Sequence, residues 1–472
     1  MVHHQVPLPS EPAPTPSGAV ALSSPAGRWL VVAAVLGSGM ALLDGTVVNV
    51  AVKPIGDQLG ASLGDLQWVI NAYMLTLASL ILIGGSLGDR LGRKRVFMVG
   101  VVWFAAASLL CGLAQSPWQL IAARAVQGVG AALLTPGSLA MIQGAIAPAD
   151  RSKAIGIWSA YAGIAAAIGP LLGGWLIDVW SWRLVFLMNL PIAVIVVGLC
   201  ARHVPETRNL DAAKEFDFKG AGLGALGLAG ITYGLIQSAL IPGLAGVALL
   251  AAFVVAEVRE REPMLPPGLF ASKTFSNANA LTLVVYGALS GLIFLLVLQL
   301  QVSVGFTPLQ AGIATLPVPL TMLLLSSRSG ALAARIGPRP QLILGPGLCA
   351  IGVLLLSRVG PSSSYVVDIL PGVVVFSLGL TTMVAPLTAT VLAAASDSNA
   401  GIASGVNNAI ARAASLLTVA ALPSLVGLSG DDYRDPMKLT DGYQLAMLLC
   451  AGLLGVGVLV ATRIPRTYQQ CR

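Results

Sequence analysis

Residues Leu66–Arg95 read LQWVINAYMLTLASLILIGGSLGDRLGRKR, and this stretch decides the fold. Its first part, residues 66–88, contains no Asp, Glu, Lys or Arg, whereas the part that follows contains Asp89 and four cations. A charge-free run of about 20 residues is long enough to cross the hydrocarbon core of a bilayer as a helix. A cationic loop directly after such a run is typical of the cytoplasmic side. The stretch therefore predicts a membrane-spanning helix that ends in the cytoplasm.

The composition extends this prediction to the whole chain. Of 472 residues, 56% are hydrophobic and only 10% are charged, and the mean hydropathy is +0.84. Soluble domains carry about a quarter charged residues. The apolar surface of this chain is too large to be buried in a water-soluble fold, so lipid must cover most of it. This excludes the soluble globular class.

Charge-free runs predict fourteen spanning helices. Two long runs, 220–256 and 274–327, each divide into two helices, at Pro242-Gly243 and near Gly305. A further span, Trp29–Val50, contains Asp44. Arg124 and Arg412 add no span, because they directly precede the charge-free runs 125–149 and 413–430 within the same helices. The nine remaining charge-free runs are 66–88, 96–123, 125–149, 154–177, 184–201, 340–357, 369–396, 413–430 and 442–462.

The distribution of cations predicts the orientation. Because fourteen is even, both termini lie on one side. That side holds twenty of the 27 Lys and Arg, the other side holds five, and two lie within spans. The positive-inside rule therefore places both termini in the cytoplasm, in a multi-pass protein of a bacterial-type cytoplasmic membrane. The net charge of +7 then reflects topology and lipid contact and not a nucleic-acid partner.

An internal repeat predicts two related halves. Gly85–Lys94 (GSLGDRLGRK) aligns with Gly330–Arg339 (GALAARIGPR), and both follow an apolar helix on the cytoplasmic side. Duplicated halves around a central substrate site are a common transporter plan. The predicted units are a disordered cytoplasmic tail 1–27, a six-helix half 28–202, a linker 203–262 with two extra helices, a six-helix half 263–463 and a cytoplasmic tail 464–472.

Asp44 is the predicted coupling group. Of the twenty Asp and Glu, it alone lies well inside a span. Burial favours the neutral form of a carboxyl and a nearby cation favours its ionised form, so a carboxyl between the two can take up and release a proton. Ionisable residues inside membranes are costly and are usually functional. The alternative is a structural ion pair.

Arg124 is the predicted partner of Asp44. Asp44 is six residues from Val50 and Arg124 six from Trp118, which places each about 9 Å below the outer end of its span. Arg124 can also brace the fold by bonding backbone carbonyls. For Arg412 two roles stay open: neutralising an anionic substrate or lipid, or holding two helices together.

Polar and small residues within the spans supply the other predicted sites. Small residues and Pro allow close helix packing and bending, which suits a conformational gate. The predicted substrate cavity is lined by Asn49, Tyr73, Gln127, Tyr161, Gln299, Asn407 and Arg412. The predicted gate consists of Gly85, Asp89, Arg90, Gly92, Arg93, Gly169, Pro170, Gly173 and Gly174.

Convincing signatures of enzymes and metal sites are missing from the sequence. There is no phosphate-binding GxxxxGK[ST] and no His-Glu-x-x-His. The five cysteines have no metal-ligand spacing, and four of them lie in apolar runs. We therefore expect a protein that is not an enzyme and needs no cofactor or metal.

Six segments, in order, resemble the fourteen-helix drug:proton antiporter branch of the major facilitator superfamily, and the resemblance runs from about Leu30 to Thr462. The segments are Leu43–Ala51 (LDGTVVNVA), Gly85–Arg95, Arg124–Gly130 (RAVQGVG), Gly156–Gly174, Trp182–Pro191 (WRLVFLMNLP) and Ala403–Asn408 (ASGVNN). The resemblance implies the major facilitator fold, a coupling role for Asp44 and a role in proton transfer for Arg124. The Gly156–Gly174 motif is associated with exporters in that family and implies export.

Three departures from the family pattern qualify the resemblance. Ala165 stands where Gly is usual in the antiporter motif, and Ala334 replaces the Asp of the signature loop in the second half. The second half also has no deeply placed acid, whereas some relatives that handle divalent cations have one there. Export of divalent cations is therefore not expected.

The expected function is export of amphipathic, drug-like compounds from the cytoplasm in exchange for protons, by alternating access and as a monomer. A dedicated exporter of one metabolite or antibiotic fits the same motifs. A proton-coupled importer is disfavoured by the antiporter motif. The alternative of another class is a membrane receptor or scaffold that transports nothing.

Overall fold

A computed structural model describes residues 20–208, 217–260, 265–395 and 400–466. Within these ranges the regular structure is helical apart from one isolated β-bridge between Val20 and Ile146. The helices are α1 Pro25–Leu59, α2 Leu63–Leu91, α3 Arg93–Leu113, α4 Pro117–Ala145, α5 Pro148–Val179, α6 Arg183–Leu187, α7 Asn189–His203, α8 Phe218–Ile236, α9 Leu240–Arg259, α10 Lys273–Val302, α11 Pro308–Thr315, α12 Pro317–Ile336, α13 Arg339–Leu356, α14 Leu370–Ala393, α15 Ala400–Leu425 and α16 Pro436–Ala461.

These helices form fourteen spans. In the described residues, thirteen segments are long and apolar enough to cross a membrane, with α6 and α7 joined in one and α11 and α12 in another. The fourteenth is α8, which has 19 residues and a single charge, Lys219. The predicted all-α polytopic fold is confirmed.

Helix α1 is longer than predicted. The sequence ended this span at Val50, but the helix continues through Pro54 to Leu59 and ends at Gly60, whose φ is 65°. The extension is stabilised by an ion pair one turn apart, Lys53–Asp57, at 2.7 Å. Asp44 therefore lies fifteen residues before the end of α1, about 22 Å along the axis, and not six residues before it.

The boundary of the N-terminal tail was also placed too late. Residues 20–24 are docked on the α4–α5 turn, where the Val20 amide donates to the Ala145 carbonyl at 2.8 Å. The Leu22 amide donates to the Asp150 carboxylate at 2.9 Å, and α1 begins at Pro25. Residues 1–19 and 467–472 of the two predicted tails lie outside the described residues.

Each half is built from adjacent helices. In the first half, α1–α7, helix α4 packs on α2 and α3, and α1 packs on α5. In the second half, α10–α16, helix α13 packs on α14, and α10 packs on α15 and α16. The extra helices α8 and α9 pack on each other, and α8 also contacts α2 and α15.

The two halves are joined at one end of the bundle. We call the end where α1 begins and α16 ends the terminal side, and the opposite end the far side. At the far side the Gln67 amide donates to the Val419 carbonyl at 2.7 Å, and the Gln301 amide donates to the Val50 carbonyl at 2.9 Å. Helices α5 and α11 also pack closely there. The far side is therefore closed.

Candidate functional site

The first half contains an ion pair that is sealed from solvent. Asp44 of α1 is 0% exposed and Arg124 of α4 is 1% exposed. The Arg124 Nη1 donates to the Asp44 Oδ2 at 2.5 Å. An ion pair buried this fully is retained only if hydrogen bonds satisfy its remaining polar atoms. The structure thus brings together the two residues that the sequence assigned to coupling.

Neutral polar side chains complete a cluster around Asp44. The Gln127 Nε2 donates to the Asp44 Oδ1 at 2.9 Å, and the Asn189 Nδ2 donates to the same oxygen at 3.4 Å. Both amides also donate to the Ser108 Oγ, at 3.1 and 2.9 Å. We call Asp44, Arg124, Gln127, Asn189 and Ser108 the carboxylate cluster. Each oxygen of Asp44 has at least one donor in it.

The guanidinium of Arg124 is also fixed by its other contacts. Its Nε donates to the Val69 carbonyl at 3.0 Å, and it stacks on the Tyr73 ring at 4.2 Å from the centroid. Its Nη1 donates to the Gln127 Oε1 at 2.6 Å. Arg124 therefore makes both kinds of contact that the sequence left open, with the carboxylate and with the backbone.

Ser108 and Asn189 were missed by sequence reasoning. Neither carries a charge, and charge was the signal that singled out Asp44. Asn189 lies in the segment Trp182–Pro191, and an amide in an apolar helix needs a hydrogen-bond partner. This requirement could have identified Asn189 as a candidate site residue. The Ser108 hydroxyl, which donates to the Phe186 carbonyl at 3.0 Å, gave no comparable signal.

Four residues predicted to line the substrate cavity lie elsewhere in this conformation. Tyr73 and Gln127 are buried at 2% and 0% exposure against Arg124. Gln299 is buried as well, and its amide donates to the Val359 carbonyl at 3.0 Å near the far side. The Asn49 amide donates to the Gly45 carbonyl of its own helix at 3.2 Å. Polar side chains in an apolar medium form hydrogen bonds with the nearest available partner. This explains why these four side chains do not line the cavity.

Asn407 and Arg412 do line a cavity, of about 270 Å³. Met74 of α2 contributes to its wall, together with residues of α10, α14 and α15, so the cavity lies between the halves. Arg412 is twelve residues into α15, about 18 Å along the axis. Its Nε is buried and has no hydrogen-bond partner among the described residues. We call this space the Arg412 cavity.

Tyr161 lines a second, larger cavity of about 660 Å³ at the terminal side. Its walls come from the segment before α1 and from α1 and α5, with the charged residues Arg28, Asp150 and Lys153 among otherwise mainly apolar side chains. Tyr161 is 54% exposed. The two cavities are separate.

The predicted gate loop is held by contacts within the first half. The Arg93 Nη2 pairs with the Asp89 Oδ1 at 2.7 Å. Glu206, which the sequence did not single out, accepts from the Lys94 and Arg95 amides at 3.1 and 3.2 Å and so caps α3. Gly92 has a φ of 114°, a backbone conformation that side chains rarely adopt.

Two further residues of the predicted gate lie on α2. Gly85 faces Pro136 of α4, where an added Cβ would be 3.6 Å away. Arg90 is half-buried near the end of the helix. Both belong to the same terminal-side region of the first half.

The small residues of α5 face two helices, α1 of the same half and α11 of the second half. Gly169 and Gly173 face α1, and a Cβ on Gly173 would lie 2.9 Å from the Val47 side chain. Gly174 faces α11, where a Cβ would lie 2.5 Å from the Leu309 Cα. The carbonyl of Pro170 lies against Gly312. Only glycine allows these approaches.

Comparison with known proteins agrees with this architecture. The model of the Major Facilitator Superfamily matches residues 34–420. The puromycin resistance protein pur8 of Streptomyces alboniger is 34% identical over 93% of this chain and 92% of its own length. The multidrug resistance protein Stp of Mycobacterium tuberculosis is 33% identical over 84% of this chain and 75% of its own. A crystal structure of a POT family transporter in complex with 5-aminolevulinic acid has a TM-score of 0.71 at 14% identity, covering 94% and 98% of the two chains.

Proposed function

This chain belongs to the major facilitator superfamily, and we propose on that premise that it exports amphipathic, drug-like compounds in exchange for protons. It is a membrane transporter and not an enzyme. Export is supported by the names of its relatives, which are resistance or export proteins for antibiotics and other drugs. Proton exchange is supported by the carboxylate cluster.

The observation that carries the proposal is that Asp44 and Arg124 are paired and buried from solvent. Protonation of Asp44 cancels its charge and leaves the guanidinium without its counterion. Breaking a buried pair in this way costs about 3–5 kcal/mol unless water or another group replaces the lost partner. A conformational change that hydrates the cluster lowers this cost. Uptake of a proton thereby favours one conformation, which is what coupling requires.

The orientation completes the proposed cycle. With both termini in the cytoplasm, as the cations favour, the closed far side is external and this conformation faces inward. External protons then enter down their gradient, and the membrane potential contributes about 2.3 kcal/mol per charge per 100 mV. Opening of the far side releases the drug outside. No partner subunit is needed for this cycle, so we propose a functional monomer.

The proposal is tested with the purified protein in proteoliposomes under an imposed pH gradient. A panel of cationic, neutral and anionic amphipathic dyes is screened for movement against the incoming protons. We expect at least one dye to accumulate on the far side of the protein while the protein moves protons in the opposite direction. If no dye moves when the gradient is imposed, the proposal fails.

A dedicated exporter is the second candidate, since pur8 is named for resistance to a single compound, puromycin. The same proteoliposomes distinguish the two candidates. Transport of several unrelated dyes favours a multidrug exporter, and transport of one chemical type favours a dedicated exporter.

A further inference from the structure

We propose that the Arg412 cavity binds an anionic group, a carboxylate or sulfonate, of the exported compound. The inference rests on the proposed function and names the class of substrate. It is carried by Arg412, a cation near the middle of a spanning helix whose charge is offset by no acidic side chain of the described residues.

The two cations inside the membrane have different surroundings. Arg124 pairs with Asp44 and bonds a backbone carbonyl. Among the described residues Arg412 forms no ion pair and its Nε has no hydrogen-bond acceptor. The ionisable groups that act on it electrostatically are the hydroxyls of Tyr73 and Tyr286, neither of them a carboxyl. A cation buried in a membrane is costly when unpaired, so its partner is expected to arrive with the substrate.

The contacts of Arg412 do not favour a structural role. A residue that holds two helices together bonds groups on both, as Arg124 does between α1, α2 and α4. The Nε of Arg412 makes no such bond to any described residue. Its guanidinium instead lies on the wall of a cavity shared by α2 from one half and by α10, α14 and α15 from the other.

The rest of the cavity wall suits the same ligand. In the part of the chain that the structure describes, no acidic side chain lines it, so a cationic group there would meet repulsion from Arg412 with nothing to offset it. Neutral polar groups beside Arg412 can donate hydrogen bonds to an anion, and these are Ser404, Asn408, Ser415 and Thr388. Asn407 does not add to them, because its amide nitrogen already donates to Asn279 and Thr282, at 3.0 and 2.7 Å.

The size of the cavity limits what it holds. Drug-sized ligands occupy pockets of roughly 300–1,000 Å³, and this space is about 270 Å³. It therefore accepts a head group and part of the body of an amphipathic compound. Met74, Val391 and Leu392 supply the apolar part of the wall for the portion next to the head group.

The test uses two probes that differ mainly in charge, dansylglycine and its uncharged amide, dansylglycinamide. Equilibrium binding to the purified full chain in lipid nanodiscs is measured by titration. A charge-assisted hydrogen-bonded pair predicts tighter binding of the acid by roughly 10- to 100-fold. Arg412→Gln removes this preference and leaves amide binding almost unchanged, whereas Arg412→Lys retains part of it. The matched control is Arg358→Gln, which removes a cation from the exposed turn after α13.

The outcomes separate this inference from the proposed function. Equal affinities for acid and amide in the wild type, failure of the acid to bind, or a preference that survives Arg412→Gln would each overturn it. Retained amide binding and an unchanged melting temperature show that the Arg412→Gln variant is folded. If cationic dyes are exported while the acid does not bind, only the anionic site is refuted. If no dye is transported under a gradient, the proposed function fails, and the binding preference is still readable.

Discussion

The close contact between α5 and α11 predicts that adding one methyl group at Gly174 will open the far side. A Cβ at this position would lie 2.5 Å from the Leu309 Cα, 2.8 Å from its amide nitrogen and 2.8 Å from the Pro308 carbonyl oxygen. All three are backbone atoms, so no side-chain rotation relieves the overlap. In Gly174→Ala the two helices must separate.

The size of the effect follows from the overlap. Carbon atoms in good contact are about 3.5–4.0 Å apart, so the backbones must move about 1 Å. Overpacking of this kind costs about 1–3 kcal/mol, and the cost falls only on the conformation in which the far side is closed. The ratio of open to closed molecules therefore rises about 5- to 150-fold.

The assay is the distance between spin labels on the two halves at the far side, in a variant without the native cysteines. Trp118 at the start of α4 and Met437 at the start of α16 are suitable, since they are 68% and 76% exposed. Gly174→Ala should broaden the distance distribution and move it to longer values.

The matched control is Gly163→Ala, on the same helix, where an added Cβ meets no atom within 4 Å. Both changes raise helix propensity equally, by about 1 kcal/mol, so only the contact with α11 differs between them. If both variants keep the wild-type distances, the far side is not held by this contact and the reasoning is refuted.

Three other perturbations test separate parts of the account. Gln67→Met removes two hydrogen bonds to the Val419 and Ala420 carbonyls, a loss of about 1–3 kcal/mol. The distance between the spin labels at positions 118 and 437 should therefore increase. An unchanged distance argues against closure of the far side by α2 and α15. Gly92→Ala places a Cβ 2.7 Å from the Glu206 carboxylate, at a residue whose φ is 114°. This strain costs about 1–3 kcal/mol, so the variant should have a lower melting temperature. Gly88→Ala is the control and should not lower it, because the nearest atom to the added Cβ is 4.0 Å away. Glu257 of α9, which is 1% exposed, lies beside the Asp217 carboxyl that caps α8. The two carboxylates repel when both are ionised, so Glu257→Gln should melt higher than the wild type at pH 9 and equally at pH 5, and the reverse order would contradict this placement.

Features that depend on charge and hydropathy could be predicted from the sequence. The fourteen spans followed from the spacing of Asp, Glu, Lys and Arg, because charge is strongly excluded from the bilayer. The same exclusion isolated Asp44 and Arg124, which the structure places in contact.

Features that depend on helix length and side-chain rotation could not be predicted in this way. The end of α1 was misplaced because Lys53 and Asp57 resemble a loop until their pairing along the helix is known. Tyr73 and Gln127 were assigned to a cavity because polarity alone does not tell which face of a helix a residue occupies. Arg412 has no carboxyl beside it among the described residues, and this depends on the packing of four helices, which the sequence does not show.

The central claim, that Asp44 couples proton entry to export, is tested most directly by Asp44→Asn in proteoliposomes with an imposed pH gradient. The control is Asp57→Asn, which removes an exposed carboxylate from the same helix. We expect Asp44→Asn to abolish gradient-driven accumulation of dye while dye binding persists, and Asp57→Asn to accumulate dye as the wild type does. Accumulation by Asp44→Asn at the wild-type level would contradict the account.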